Sequence, residues 1–456
     1  MKPSTPAGCA PMCKEGNEQV QSTRSGFWLR LWSILFLSAG LTQHAKATEA
    51  WYEVRKIGGE FTVYSYGESP YNHGAPFLNL EQRRAFSGGA VAFSQSYSVK
   101  DGSNASDGIH IGGDHNAQSC EACHYRDGRG ISHSKLFANT GFAAKPRPSG
   151  TKPVPFRIPW PSGTTPKLLG VEWQVKQKLK LTGPETVELV APVSIVNGKR
   201  RAVDLRNAPA VYGLGLLEAI PADEIRKLSN EQPYKKSGVR GIIGNACSTT
   251  DESVSCKRVG RFGWKATIDN LDTQTRSALF GELGIASPDN SSNDEENRQY
   301  EVSVKAIAGY MRALAVPARR IDGDDRSIQG ASLFESVGCL MCHKASWRTG
   351  ASAEVDQIVR DQHIYPFTDL LLHDMGEGLA DSNKDKLSSF WKTPALWGIG
   401  MQKTVAANAG YLHDGRARNF LEAILWHGGE ASASVEKFRA LSKKQRDSLI
   451  AFLDSL

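Results

Sequence analysis

Two copies of one short pattern, Cys120-Glu121-Ala122-Cys123-His124 and Cys339-Leu340-Met341-Cys342-His343, constrain this chain more than any other feature. Each sets two thiols about one helical turn apart, with an imidazole directly after the second. That spacing captures the two vinyl groups of a haem as thioethers and offers the histidine to iron. A tetrahedral zinc site needs four ligands and each pattern supplies three. A redox dithiol has no use for the histidine, which recurs in both copies. The reading that follows is two covalently attached c-type haems, bound at Cys120/Cys123 and Cys339/Cys342, with His124 and His343 on iron.

Such haems are attached outside the cytoplasm, and the N-terminus agrees. The apolar run from Phe27 to Leu41, with Arg24 and Arg30 near its start, is short for a membrane span and leads to Ala45-Lys46-Ala47. This is a signal-peptide pattern with cleavage expected after Ala47. No later stretch is long and apolar enough to cross a bilayer, so a periplasmic product without a membrane span is expected. The leader carries five basic residues (Lys2, Lys14, Arg24, Arg30, Lys46) and two acidic ones (Glu15, Glu18), so its loss lowers the formal net charge of +7 by three. So mild a charge argues against a nucleic-acid partner. Cys9 and Cys13 leave with the leader. Of the remaining cysteines, Cys247 and Cys256 read as a disulfide closing a small loop, with a redox-active dithiol as the alternative.

A chain of 456 residues exceeds what one core usually organises. Two stretches share a layout: Ala85 to Phe93 precedes the first CxxCH, and Gly330 to Phe334 the second. In the latter, Leu333, Phe334 and Val337 fall on one helical face. Between them Val304, Ile307, Met311 and Leu314 mark a helix that stops at Pro317. A C-terminal helix opens on the capping pair Ser442 and Gln445 and buries Leu449, Ile450, Leu453 and Leu456. Alternation at Val171/Trp173/Val175, Val187/Leu189 and Val193/Ile195, with Asn197-Gly198 as a turn signal, predicts strands. The Gly/Ser/Asn-rich residues 101–113 and the polar residues 287–297 read as loops. The expected fold is mainly α: two tandem cytochrome c-like domains, 48–320 and 321–456 after a 1–47 signal peptide, with a small β-hairpin insert (about 169–205) in the first.

The second axial position decides function, because a sixth protein ligand makes an electron-transfer haem and an open position admits peroxide or oxygen. Around the second haem the candidates are His363, His373, Met375, Met401, His413 and His427. Around the first they are His110, His115 and His133, unless that iron is open.

The stretches Cys120–Gly130, Leu205–Pro221, Gly260–Ala266, Asp369–Asp381 and Tyr411–Glu430 together resemble the di-haem oxidoreductase family of peroxidase-like enzymes, across nearly all of the chain after the leader. That family is related to bacterial di-haem cytochrome c peroxidases and to methylamine-utilisation di-haem enzymes, and some members are labelled thiol oxidoreductases. The resemblance implies a catalytic N-terminal haem and a C-terminal haem that relays electrons from a small redox donor protein or other external reductant to peroxide. It sets His427 as the far-side ligand of the second haem, where the peroxidases usually carry methionine, and His413 as a hydrogen bonder beside it. It makes Trp264 the relay between the haems, followed by Gln274. For the proton that O–O cleavage requires it points to Glu282, here two residues closer to that glutamine than in the peroxidases. Glu218 is a second candidate acid because its neighbours Leu217 and Ile220 suggest burial, which would raise its pKa. A calcium ion between the domains is common among the peroxidases, although no acidic cluster in this sequence demands one. Oxidation of a thiol or another external substrate, and non-enzymatic electron carriage, are the alternative functions.

The haem reading is checked by intact mass of the exported protein, expected to show two covalent haems on a chain cleaved near Ala47. Changing Cys339 and Cys342 together to Ala should remove one haem and leave the other.

Overall fold

Helix α1 (Leu80–Ser94) begins at Asn79, whose side chain accepts from the Gln82 N–H while Gln82 accepts from the Asn79 N–H. This capping box satisfies two donors that a helix start leaves free. The structure, a computed structural model, describes residues 50–97, 117–131, 142–145, 170–196, 199–201, 204–231, 238–246, 257–285, 294–321, 325–352, 356–382 and 385–456. The leader, Cys247, Cys256, His110, His115 and His133 lie outside the described residues. Residues 50–456 pack as one compact unit, mainly helical with small sheets of two or three strands.

Beyond α1, the helices that position the site are α2 (Leu271–Leu283), α3 (Asp294–Ala313), α4 (Asp325–Ser336), α5 (Phe420–Trp426) and α6 (Lys443–Ser455). Two helix pairs, α1 with α3 and α4 with α6, make the same contact. A Cβ added to Gly89 would lie 2.4 Å from the Ala306 carbonyl oxygen and 2.7 Å from Tyr310 Cβ; one added to Gly330 would lie 1.9 Å from the Ser448 oxygen and 2.8 Å from Phe452 Cβ. Only glycine lets the backbones approach this closely. One turn on, Phe93 packs 5.4 Å from Tyr310 and 6.0 Å from His124, while Phe334 packs 5.1 Å from Phe452 and 6.0 Å from His343. Each CxxCH histidine is therefore gripped by the aromatic that follows its helix crossing.

A second correspondence lies in Pro209-Ala-Val-Tyr-Gly213 and Pro394-Ala-Leu-Trp-Gly398. Gly213 N–H donates to Leu314 O at the end of α3, and Gly398 N–H to Leu456 O at the end of α6. The two segments pack reciprocally, since a side chain at Gly213 would strike Trp397 and one at Gly398 would strike Tyr212. Tyr212 Oη donates to Trp397 O at 2.9 Å. The chain is also stitched where its sequence suggested a division. Arg319 is fully buried, with Nε donating to Ser455 Oγ at 2.9 Å, and strand Thr62–Val63 pairs in parallel with Val316–Pro317.

Two expectations change. Residues 294–297 are the first turn of α3 rather than loop: Asp294, Glu295 and Glu296 suit the positive end of a helix, and Gln299 donates back to Glu295. The β-insert is a three-stranded meander, β1 (Gly170–Lys180), β2 (Thr186–Val196) and β3 (Lys199–Arg201). Its long hairpin turns at Gly183, which has φ of +103°, while Val196 pairs with Lys199 across the Asn197-Gly198 signal. Although it precedes residue 320 in the chain, the meander packs on the C-terminal segment. Thr182 donates to Arg439 O, Arg418 to Glu188 O and Arg446 to Glu185. Leu189, Val190 and Ala191 are consecutively buried there, which breaks the expected alternation. Strand Asp204–Asn207 pairs with 142–145 instead of joining the meander.

Adjacent glycines on α1 provide a test of the crossing. Gly88 has nothing within 4 Å of an added Cβ, so Gly88→Ala should stabilise the protein by about 0.5–1 kcal/mol through helix propensity. Gly89→Ala should destabilise it by about 1–3 kcal/mol, as overpacking against backbone does. Urea unfolding of both variants is the measurement, and the opposite signs are the expected result.

Candidate functional site

Both CxxCH segments fold alike. Cys123 N–H and His124 N–H donate to Cys120 O at 3.1 and 2.9 Å, and Cys342 and His343 repeat this on Cys339 O at 3.3 and 2.9 Å. None of the four cysteines forms a disulfide among the described residues. Burial pushes Cys120 and Cys339 up to about 12, so each is a protonated thiol and a poor thiolate nucleophile or metal ligand.

The histidines are prepared as ligands. His124 Nδ1 lies 2.7 Å from Pro209 O, His343 Nδ1 2.9 Å from Phe367 O, and His427 Nδ1 2.6 Å from Ala423 O. A carbonyl only accepts, so each Nδ1 carries the proton and each Nε2 presents a lone pair. Burial pushes His343 down to about 4 and lowers His124 and His427 as well. All three are neutral imidazoles in the tautomer that metal-ligating histidines adopt.

A largely apolar cavity, about 1320 Å³ of empty space with its mouth included, opens beside the second CxxCH. Cys339, Cys342, His343 and His427 all line it, as do Met375 and His413. Paired thiols and a neutral imidazole with a free Nε2 are the donor set a c-type haem requires, a second such imidazole lines the same cavity, and the residues fit that group. Helix α5 sets His427 at its C-terminal end, with Asn419 capping the N-terminus by accepting from Glu422 N–H. The cavity also receives Phe334 of α4 and Phe438, so an aromatic floor is shared with the helix crossing.

The remaining sequence candidates separate clearly. His373 lines the cavity but has no free nitrogen: Nε2 lies 2.7 Å from Asp369 Oδ2 and Nδ1 2.8 Å from Glu430 Oε2. Burial alone would lower its pKa, but the Asp369 charge and the bonds to Asp369, Cys342 and Glu430 hold it well above the imidazole range. It is an imidazolium, not a ligand. His413 is buried and stacked on Trp391 at 3.6 Å with the rings 8° apart, and burial keeps it neutral. Met401 is buried outside the cavity lining, and His363 is exposed beside Tyr365.

Trp264 lines the second cavity and donates Nε1–H to Asn207 O at 2.8 Å. Asn207 lies two residues before Pro209, whose carbonyl orients His124, so the indole joins the wall of one site to the frame of the other. Glu282, near the end of α2, is close enough for its charge to raise the pKa of buried His124. Gln274 is on the same helix, its side-chain oxygen buried without a donor among the described residues. Glu218 is half-buried as expected, but its carboxylate is taken. Oε1 accepts from Leu271 N–H at 2.7 Å and Arg312 Nη2 at 3.0 Å, and Oε2 accepts from Arg312 Nε at 2.6 Å. The burial of Glu218 is thus compensated by a guanidinium, and its carboxylate anchors the start of α2. No group of three or more His, Cys, Asp or Glu among the described residues could hold a separate metal ion.

Sequence reasoning missed the imidazolium between two carboxylates, although Asp369 and His373 stand four residues apart inside a quoted motif. It also missed Arg129 and Lys392, two cations on the cavity wall. Among the described residues no helix is long and apolar enough to cross a membrane.

Comparison with known proteins gives a match to the family model described as "Di-haem oxidoreductase, putative peroxidase" over residues 51–143, 193–302 and 291–456. No curated protein matches the chain. Among solved structures, a MauG-like protein associated with microbial copper homeostasis is 17% identical, the match covering 54% of this chain and 88% of that one with a TM-score of 0.27. The diheme peroxidase BthA from Burkholderia thailandensis is 15% identical, over 43% of this chain and 66% of that one, also with a TM-score of 0.27.

The His373 network makes a pH-dependent contribution to stability. Replacing His373 with Gln strips the cation from two carboxylates and should cost about 3–5 kcal/mol near pH 6. A folded pKa raised above the unfolded value of about 6.5 gives stability that is complete below that value and declines as pH rises toward the folded pKa. The gap between parent and His373→Gln should therefore narrow from pH 6 to pH 9 in urea titrations.

Proposed function

The chain belongs to the di-haem oxidoreductase family, and from that premise we propose that it is a periplasmic, peroxidase-like c-type cytochrome that reduces peroxide at its N-terminal haem and relays electrons through its C-terminal one. In this reading the two helix-crossing units are cytochrome c-like, one per haem. The observation that carries it is that His343 and His427 line one cavity, both neutral and both with Nε2 free. Two such nitrogens close an iron to outside ligands and suit electron relay. Chemistry on peroxide then falls to the other site, where His124 is the ligand. Imidazole in place of the methionine usual among the peroxidases gives the relay haem a lower potential.

Bound haem would supply the redox change and the iron on which peroxide is activated. The chain supplies the rest. Pro209 O and Phe367 O fix the ring orientation of the two proximal histidines. Trp264, on the wall of the second cavity with its indole nitrogen tied to Asn207 O, is the aromatic that would relay electrons between the sites. Glu282, whose charge reaches His124, is the carboxyl group that would carry a proton from the inner to the departing oxygen of peroxide. The electrons come from a small redox donor protein.

The experiment joins spectra to turnover. The resting or half-reduced protein should show one high-spin and one low-spin haem and should turn over peroxide with a reduced donor. Glu282→Gln should keep both spectra and lose about 10²–10⁴-fold in that rate. Two low-spin haems in every redox state would make the protein an electron carrier, and absence of peroxide turnover in the parent would move the substrate to a thiol.

A further inference from the structure

Arg129, buried, and Lys392, half-buried, are two cations on the wall of the second cavity, and among the described residues neither has an ion-pair partner. Lys392 follows Trp391 on the short strand Phe390–Lys392, with its backbone N–H bound to Trp264 O. Its ammonium has no hydrogen-bond or ion-pair partner among the described residues. The acid whose charge it feels most, Asp369, already accepts from His373 and from Leu371 N–H. Burial pushes Lys392 down to about 8. Arg129 is buried, and among the described residues its guanidinium reaches only neutral acceptors, Gly410 O at 3.3 Å and Leu412 O at 2.6 Å. Its charge also faces the Trp264 ring at 5.3 Å. By contrast, the third cation on this wall, His373, is matched by Asp369 and Glu430.

A buried charge without a counter-ion is disfavoured, so chains that retain one present it to a ligand. We infer that Lys392 and Arg129 seat the propionate carboxylates of the macrocycle attached at Cys339 and Cys342, and that they raise the potential of that haem above what two imidazole ligands alone would set. Propionates are the only anionic groups on the haem periphery, and two cations meet two carboxylates. Cations near an iron favour its ferrous state, because reduction lowers the positive charge at the centre. Arg129 lies five residues after His124, so the segment that binds the first haem also supplies charge to the second. The inference rests on the haem reading of the cavity.

The test is spectroelectrochemical titration of each haem in the two-haem protein, with Lys392→Met and Lys392→Arg compared with the parent and with the exposed control Lys437→Met. Lys392→Met should lower the second midpoint so that the reduced-to-oxidised ratio at a fixed potential falls about tenfold, equivalent to 59 mV for one electron. Lys392→Arg should retain most of the parent value, and neither variant nor the control should move the first haem. If Lys392→Met lacks the second haem by intact mass while Lys392→Arg carries it, the requirement for a cation is likewise supported. An unchanged midpoint in a fully loaded Lys392→Met overturns the inference, as does a Lys392→Arg that loses as much potential or haem as Lys392→Met. A parent protein without a second covalent haem would overturn the haem reading itself, an outcome distinct from all of these.

Discussion

The hydrogen bond between a histidine Nδ1 and a backbone carbonyl is the interaction on which the rest of this structure depends. His124 with Pro209 O, His343 with Phe367 O and His427 with Ala423 O are three instances. Each fixes a tautomer and a ring plane at once, and burial removes the competing protonated state. The carbonyls that do this lie 85, 24 and 4 residues from their histidines. Two of the three clamps therefore require the fold to bring distant segments together before a ligand exists. The glycine crossings serve the same end: by letting helix backbones touch, they carry Phe93 and Phe334 against His124 and His343.

The second site draws heavily on residues that precede the expected division at 320. Trp264 and Arg129 line its cavity, and the β1–β2 hairpin braces α5 and the helices after it from outside. The contact of Gly213 with Trp397 and of Gly398 with Tyr212 locks the two repeated segments face to face. A core shared in this way ties the two CxxCH segments into one packed unit. It also explains why Arg319, at the expected division, is among the most deeply buried side chains.

Charge in the second cavity is arranged by burial rather than by number. His373 is held as a cation by two carboxylates, whereas His343, His427 and His413 stay neutral in the same apolar surroundings. Four histidines within one lining thus divide into two neutral imidazoles with Nε2 free, a stacking partner and an imidazolium. Their surroundings make the difference: Asp369 and Glu430 flank only one of them, and carbonyls or an indole face the others.

The sequence by itself determined what depends on near neighbours. The CxxCH spacing places two thiols and an imidazole on one turn, the pair Ser442 and Gln445 starts the last helix, and apolar periodicity picks out Val304, Ile307, Met311 and Leu314 as core. Such features rest on contacts within a few residues and are readable without a fold. Only the tertiary structure decided that His427 rather than His373 has a nitrogen free in the cavity, that Glu218 is bound by Arg312, and that a hairpin placed early in the chain packs on its end. Those outcomes turn on partners tens to hundreds of residues away: Glu430 takes the second nitrogen of His373, Arg312 takes both oxygens of Glu218, and Arg439 meets Thr182. A carboxylate or imidazole has the same letter in the sequence whether it is free or engaged, and the hydrogen bond that distinguishes the two exists only once the chain has folded.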